Sequence, residues 1–403
     1  MTEQHTSPPQ AQDATAVADS RQTAAVLPPR TATQEVLGQA GRRGPFRYGE
    51  RVQVTDVKGA KNTFQLDPGG YFQSVRGSFR HRDVVGLEEG TVLTTESGHE
   101  LLLLRPLLAD YVLSMPRGAQ VVYAKDSGQI IAMGDIFPGA RVVEAGVGSG
   151  ALTMNLLSAV GESGRLLSIE RRADFAQIAA SNVDSWFGRH HPAWELRTGD
   201  FAEVTAHHVA QGSIDRIVLD MLAPWENIAE SARVLVPGGL LLAYVATTTQ
   251  LSRTVEALRH SRLFTEPESW ESMVRTWNVD GLSVRPDHRM VAHTGFLLTA
   301  RRLAAGSLPL TRKRPPARGA YDDAGYWLPE DVRERTSTDR KVRRVLRDCL
   351  AKQPQDRTPV LPGTPLGQDG GSDKARRRPG TEATDLTDMT DVTDGNDSYD
   401  GTA

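Results

Sequence analysis

Four stretches of the sequence set carboxylates and glycines where chemistry could follow. The first is Glu144-Ala145-Gly146-Val147-Gly148-Ser149-Gly150, an E-x-G-x-G-x-G run between the apolar RVVEA and the helix-compatible GALTMNLLSAV. Glycines in such a turn let the backbone approach a ligand closely and adopt positive φ. The spacing differs from the dinucleotide fingerprint G-x-G-x-x-G. A carboxylate two positions before the first glycine also disfavours a pyrophosphate and suits a cationic aminoacyl group. The second is Glu170, which closes RLLSIE 24 residues after Gly146, where a carboxylate can accept from the two hydroxyls of a ribose. The third is Asp200 in Thr198-Gly199-Asp200-Phe201, placed to accept from an exocyclic amine. Each alone is matched by a solvated acid at a strand end. Three in succession describe a ligand built of adenosine and an amino acid.

The fourth stretch is Asp220-Met221-Leu222-Ala223-Pro224-Trp225. A carboxylate followed by proline and an aromatic, at the mouth of such a cleft, suits methyl transfer to a nucleobase nitrogen. The acceptor nitrogen is a weak nucleophile and the alkylated base gains positive charge. A carboxylate accepting from the neighbouring amino group orients the base and stabilises that charge. Aligning acceptor, methyl and sulfur supplies most of the remaining rate, up to about 7–11 kcal/mol in principle. No metal and no covalent intermediate is required. Trp225 is equally a stacking platform for a base or a core residue at a helix start.

These residues need strand ends to hold them. From about Ala140, nearly continuous apolar runs alternate with helical stretches: RVVEA, RLLSIE, DRIVLD and GLLLAYVA are each followed by one, and WELRTGD stands among them as a further strand. That alternation predicts an α/β fold with a parallel sheet covered on both faces, its ligand at the carboxyl ends of the strands. Trp270 to Val279 and Gly295 to Arg301 lack a helix between them and predict an antiparallel pair closing the edge. Between Gly44 and about Met115, short runs such as RVQVTDV, NTFQLD, YFQSVRGSF and HELLLLRP predict a small antiparallel β-domain.

The chain has 403 residues and a formal net charge of −3, too little to argue for or against nucleic acid until the charge is located. Asp385, Asp388, Asp391, Asp394, Asp397 and Asp400 make the C-terminal tail acidic, whereas Arg42, Arg43, Arg47, Arg51, Arg76, Arg80 and Arg82 cluster early. Residues 1–43 and 305–403 have the composition of largely disordered extensions. Within the second, residues 329–352 could form one charged helix, expected to be loosely attached and assigned no function. Cys349 is the single cysteine, so neither a disulfide framework nor a thiolate metal site fits within one chain. The most apolar run, LLLLRPLLADYVL, is broken by Arg105 and Pro106, and no signal peptide or membrane span is expected. The pairs His190-His191 and His207-His208 are rejected as metal ligands because adjacent side chains point apart. A reducing, cytoplasmic setting is the default.

Further matches give a family resemblance. Tyr123-Ala124-Lys125-Asp126 is similar to a Tyr-Pro-Lys-Asp motif. With it stand Ile136 to Gly146, Leu219 to Trp225, Tyr244-Val245-Ala246-Thr247-Thr248-Thr249-Gln250-Leu251, Arg285-Pro286 and His293-Thr294-Gly295-Phe296-Leu297. Together they resemble the tRNA (adenine-58-N1)-methyltransferases of the bacterial, actinobacterial branch, from about Gly44 to Ala304. The resemblance implies a small β-domain (44–115), expected to bind tRNA, before a Rossmann-like class I methyltransferase domain with a seven-stranded sheet (116–304), usually as a homotetramer. It implies S-adenosyl-L-methionine as cofactor, with Glu144, Gly146, Gly148 and Gly150 forming its turn. Ser149, Ala151 and Leu152 would line the methionine portion, Glu170 the ribose, Asp200 the adenine, and Phe175 would lie nearby. Asp220 would border the cofactor and be the catalytic carboxylate. Tyr123, His293 and Trp225 would face the target base, while Arg80 and His81, with Arg76 and Arg82, would meet tRNA on the small domain. Ala124 in place of proline and Ile169-Glu170 in place of Tyr-Glu depart from the pattern. The competing readings are a methyltransferase of the same fold acting on a small molecule or protein carboxylate, and a non-catalytic RNA-binding subunit.

Overall fold

Period-2 alternation in the first hundred residues builds a four-stranded antiparallel sheet in the computed structural model, which describes residues 43–310 and 339–351. Its strands are β1 (Arg51–Asp56), β2 (Lys61–Gln65), β5 (Val92–Thr94) and β6 (Glu100–Leu104), in the order β2-β1-β6-β5. Val52 and Val54 on β1 and Leu101 and Leu103 on β6 point to one face and bury against Phe46, Leu66 and Val84. The hairpin of β3 (Tyr71–Ser74) and β4 (Gly77–Arg80) adds Phe72 and Phe79, stacked at 5.0 Å, to the same cluster.

After α1 (Leu108–Ser114) and α2 (Ala124–Met133) the chain enters a seven-stranded sheet. Its strands are β7 (Arg141–Ala145), β8 (Arg165–Glu170), β9 (Trp194–Thr198), β10 (Ile214–Asp220), β11 (Leu235–Val245), β12 (Glu268–Trp270) and β15 (Phe296–Arg301), in the order β12-β15-β11-β10-β7-β8-β9. The first five are parallel, and β15 and β12 complete the edge antiparallel. Alternate residues feed opposite faces. Val142, Leu166, Val218 and Leu242 pack with α3 (Ala151–Val160) and α4 (Ala173–Phe187), whereas Val143, Ile217, Leu219 and Leu241 pack with α5 (Phe201–His208), α6 (Ile228–Val234) and α7 (Thr248–Ser261). Because both faces are covered, these strands read as continuous apolar runs.

The order reverses between β7 and β10, the position where open α/β sheets take their ligands. Gly146 ends one of these strands and Asp220 the other. Gly146 has φ +91°, and a Cβ there would stand 1.7 Å from the Asp220 carbonyl oxygen, so only glycine fits.

Two expectations change. Trp270 does pair with Leu297, but Trp277 and Val279 leave the sheet: β13 (Trp277–Asp280) and β14 (Ser283–Pro286) form a separate antiparallel ribbon. Trp277, Val279, Leu282 and Val284 are all exposed on it, so no sheet face selects that segment. The charged helix of the tail is described over α8 (Asp339–Ala351) and is docked rather than loose, and the rest of the expected span 329–352 lies outside the described residues. Val342, Val345, Leu346 and Cys349 follow helical spacing and pack against Phe175 and Ile178 of α4. The disorder expected for residues 1–42, 311–338 and 352–403 falls outside the described residues. Among the described residues no helix is long and apolar enough to cross a membrane.

Candidate active site

Three carboxylates meet at the switch point. Glu144 is fully buried, and its Oε2 accepts from Thr153 Oγ1 at 2.8 Å and Ser168 Oγ at 2.7 Å. Its Oε1 is buried without a hydrogen-bond partner among the described residues. Burial, opposed by those two hydroxyls and reinforced by the charges of Asp220 and Glu170, pushes its pKa up to about 8. Glu170 is 9 % exposed and accepts from Gly148 N at 3.0 Å and Arg172 N at 3.0 Å, which draws the glycine turn against the end of β8. Each oxygen keeps a lone pair for a hydroxyl. Asp220 is half-buried and accepts no hydrogen bond among the described residues. Burial first, and the Glu170 charge second, raise its pKa to about 7. None of the three forms an ion pair among the described residues.

The glycine turn opens onto α3. Gly150 is its left-handed N-cap (φ 85°), Ala151 and Leu152 form its first turn, and Ser149 is buried. Asn182 of α4 donates to the carbonyls of Ser149 at 2.9 Å and Pro116 at 2.8 Å, tying segment 116–122 over the turn. Asp200 is the N-cap of α5, its Oδ1 accepting from Ala202 N at 3.0 Å; the bonds it makes leave Oδ2 available. Phe175 is buried beneath α8 and also lies under Gly118, where a Cβ would meet its ring at 3.0 Å. Arg172 covers its ring at 4.4 Å.

On the other side of Asp220 the structure gathers motif residues to which the sequence assigned no role of their own. Tyr244 pairs in register with Asp220 across β10 and β11, and it lies close enough to Gly295 that a Cβ there would stand 2.4 Å from its ring. Its hydroxyl bonds to Thr294, and burial raises its pKa. Lys125 and Asp126 form a buried ion pair at 2.7 Å. The ammonium also donates to the Ser272 carbonyl at 2.8 Å and Thr294 Oγ1 at 2.7 Å, while Thr294 and Ser272 hydroxyls donate to Asp126. This network fastens the start of α2, whose N-cap is Tyr123, to the segment carrying His293. His293 is exposed, its Nδ1 2.8 Å from Glu271 Oε2 and its ring 4.5 Å from Phe296. Gln250 completes a capping box with Thr247 and donates from Nε2 to the Leu222 carbonyl at 2.9 Å, holding the loop after Asp220. The motif containing Thr247 to Gln250 was visible in sequence; that its glutamine reaches the neighbouring loop was not. Trp225 is half-buried with Arg253 of α7 5.0 Å over its ring, so one face is already occupied.

The small domain divides the expected basic face. Arg80 is exposed, and Arg82 is too. His81 does not belong with them: it is buried, stacked at 4.8 Å on Phe64, and its Nδ1 accepts from Asp67 N at 3.0 Å. Burial lowers its pKa, which keeps it neutral. After Arg80 the chain turns into a short 3-10 helix, and that turn swings the imidazole inward.

Comparison with known proteins agrees with this fold. Residues 44–93 match a family described as TrmI-like N-terminal, and residues 101–285 one described as tRNA methyltransferase complex GCD14 subunit. The tRNA (adenine(58)-N(1))-methyltransferase TrmI of Thermus thermophilus is 34 % identical over 252 residues, covering 62 % of this chain and 96 % of that protein. The tRNA (adenine(57)-N(1)/adenine(58)-N(1))-methyltransferase TrmI of Methanocaldococcus jannaschii is 32 % identical over 241 residues, 54 % of this chain and 84 % of the relative. Among solved structures, the tRNA (m1A58) methyltransferase TrmI of Aquifex aeolicus superposes with a TM-score of 0.57 at 25 % identity, covering 65 % of this chain and 100 % of that one. A SAM-dependent O-methyltransferase of Thermotoga maritima gives 0.61 at 29 % identity, over 66 % and 97 % of the two chains. With a near-complete relative at this identity, a matching fold and carboxylates at each expected strand end, the chain belongs to the tRNA (adenine(58)-N(1))-methyltransferase family.

Proposed function

We propose that this chain transfers a methyl group from S-adenosyl-L-methionine to N1 of a T-loop adenine in tRNA, with Asp220 as the catalytic carboxylate. The observation that carries the reading is the group of Glu144, Glu170 and Asp220, three mutually repelling carboxylates without an ion-pair partner among the described residues. A site of that sign suits a cationic ligand, and the orphaned Oε1 of Glu144 adds to it. The cofactor supplies an electrophilic methyl group on a positively charged sulfur. Glu170 would accept from the ribose hydroxyls, Asp200 would offer Oδ2 to the adenine, and Ser149, Ala151 and Leu152 would line the methionine portion. Gly146, Gly148 and Gly150 admit the ligand against the backbone.

Asp220 accepts from the amino group beside the acceptor nitrogen, orients the base and stabilises the positive charge that grows as N1 is alkylated. Tyr123 and His293 close the target-base side, fastened by the Lys125–Asp126 network. Trp225 offers the base only the face that Arg253 leaves open. Arg80 meets the tRNA backbone from the small domain, residues 44–115, which we assign as a tRNA-binding domain ahead of a catalytic domain at 116–304. The exposed ribbon with Trp277, Val279, Leu282 and Val284 supports assembly into a homotetramer, since an apolar patch of that kind favours a covering partner. We assign the enzyme to the cytoplasm, where it would meet tRNA.

Reaction of unmodified tRNA with labelled cofactor tests the proposal. Asp220→Ala should keep cofactor binding largely intact and lower turnover at least about a hundredfold. Near-normal turnover, or labelling of small metabolites and not tRNA, would refute it.

A further inference from the structure

The tail helix α8 carries Arg340, Lys341, Arg343, Arg344 and Arg347, five cations against Asp339 and Asp348 in thirteen residues. All five are exposed, and none makes an ion pair or hydrogen bond among the described residues. The opposite stripe, Val342, Val345, Leu346 and Cys349, is already spent on Phe175, Ile178 and Ala119. The Cys349 carbonyl accepts from Ser181 Oγ at 3.5 Å, a second tie to α4.

We propose that the basic face of α8 is a tRNA-binding surface that grips the phosphate backbone of the substrate. The inference rests on the tRNA reading of the active site. A basic amphipathic helix can also lie on a membrane, but that mode needs its apolar face free to enter the lipid. Here that face is buried against α4, and only cations look outward. Phosphates are the complementary partner for such a row, because each neutralised phosphate releases counterions. Arg340, Arg343 and Arg347 border one open recess of about 510 Å³, lined among the described residues by these three and Leu346. Position supports the assignment. Phe175, on which α8 sits, follows Glu170 by five residues and lies under Gly118, next to the segment that leads to Tyr123. The helix therefore flanks α4, beside the strand that ends in Glu170.

The test compares the full-length chain with R340Q/R343Q/R347Q, binding an unmodified tRNA transcript over a range of salt concentrations. These side chains are exposed and glutamine favours helix, so the fold is retained. Loss of three phosphate contacts should make the slope of log affinity against log salt shallower by about 2 to 3. Affinity at low salt should fall at least about tenfold, with cofactor affinity unchanged and kcat at saturating tRNA near that of the parent. A slope within about half a unit of the parent's would overturn the assignment. If the parent chain itself neither binds nor methylates tRNA, the active-site reading fails, and this one with it.

Discussion

Asp220→Asn should move stability and turnover in opposite directions. The carboxyl goes from an ordinary 3.8 in the unfolded chain to about 7 in the cofactor-free fold, because burial and Glu170 both oppose its charge. A raised carboxylate pKa means that the folded state holds the proton more tightly. The penalty is absent below pH 3.8, grows as the pH rises to about 7, and is constant above. Three units correspond to about 4 kcal/mol as a ceiling, and water reaching a half-buried group reduces that to on the order of 2 kcal/mol. The asparagine has no charge to hold. Urea unfolding of the cofactor-free proteins should show the variant more stable by about 2 kcal/mol at pH 8 and by clearly less at pH 5. Single-turnover methylation of tRNA by the same variant should fall at least about a hundredfold, since an amide cannot stabilise the charge developing on the base. Equal stability differences at both pH values would contradict the raised pKa of Asp220, and unimpaired turnover would contradict its catalytic role.

Other perturbations separate positioning from chemistry. Cofactor binding at pH 7 should release protons, because a cationic ligand draws Glu144 and Asp220 down from about 8 and about 7; calorimetry in two buffers of different ionisation enthalpy measures this, and no buffer dependence would contradict it. Gly146→Ala should abolish cofactor binding in an equilibrium assay, since its Cβ meets the Asp220 backbone at 1.7 Å and cannot be accommodated by a side-chain move. Lys125→Met leaves Asp126 buried without its cation and should cost about 3–5 kcal/mol in denaturant unfolding. His81→Ala should lower stability by a few kcal/mol through the lost stack on Phe64, on the scale of other large-to-Ala core changes, with the salt slope of tRNA binding unchanged.

What the sequence made legible follows from periodicity. Strands buried on both faces are nearly continuous apolar runs, and Glu170, Asp200 and Asp220 stood out because each interrupts such a run at its carboxyl end. The antiparallel β-domain was legible for the complementary reason, alternation with one buried face. Positions decided by tertiary contact were not legible. Arg80 and His81 are adjacent in a basic stretch, yet the aromatic cluster of Phe64, Phe72 and Phe79 draws only the imidazole inside. Tyr244 lies in the apolar GLLLAYVA, where one tyrosine looks like core. Its role depends on its register with Asp220, which local pattern does not encode. Lys125 and Asp126 look like exposed helix-start charges until Ser272 and Thr294, far along the chain, cover them. The docking of α8 was masked by its charge, although its apolar stripe is regular.

By this proposal the carboxylate-lined switch point methylates N1 of adenine 58 in tRNA. Mass spectrometry of tRNA nucleosides, after reaction of an unmodified transcript with the full-length chain and S-adenosyl-L-methionine, reads both the modified atom and its position. One 1-methyladenosine mapped to position 58, absent with Asp220→Ala, is the predicted result. A methyl group on another base or on ribose, or tRNA left unmodified by active and variant chains alike, would contradict it.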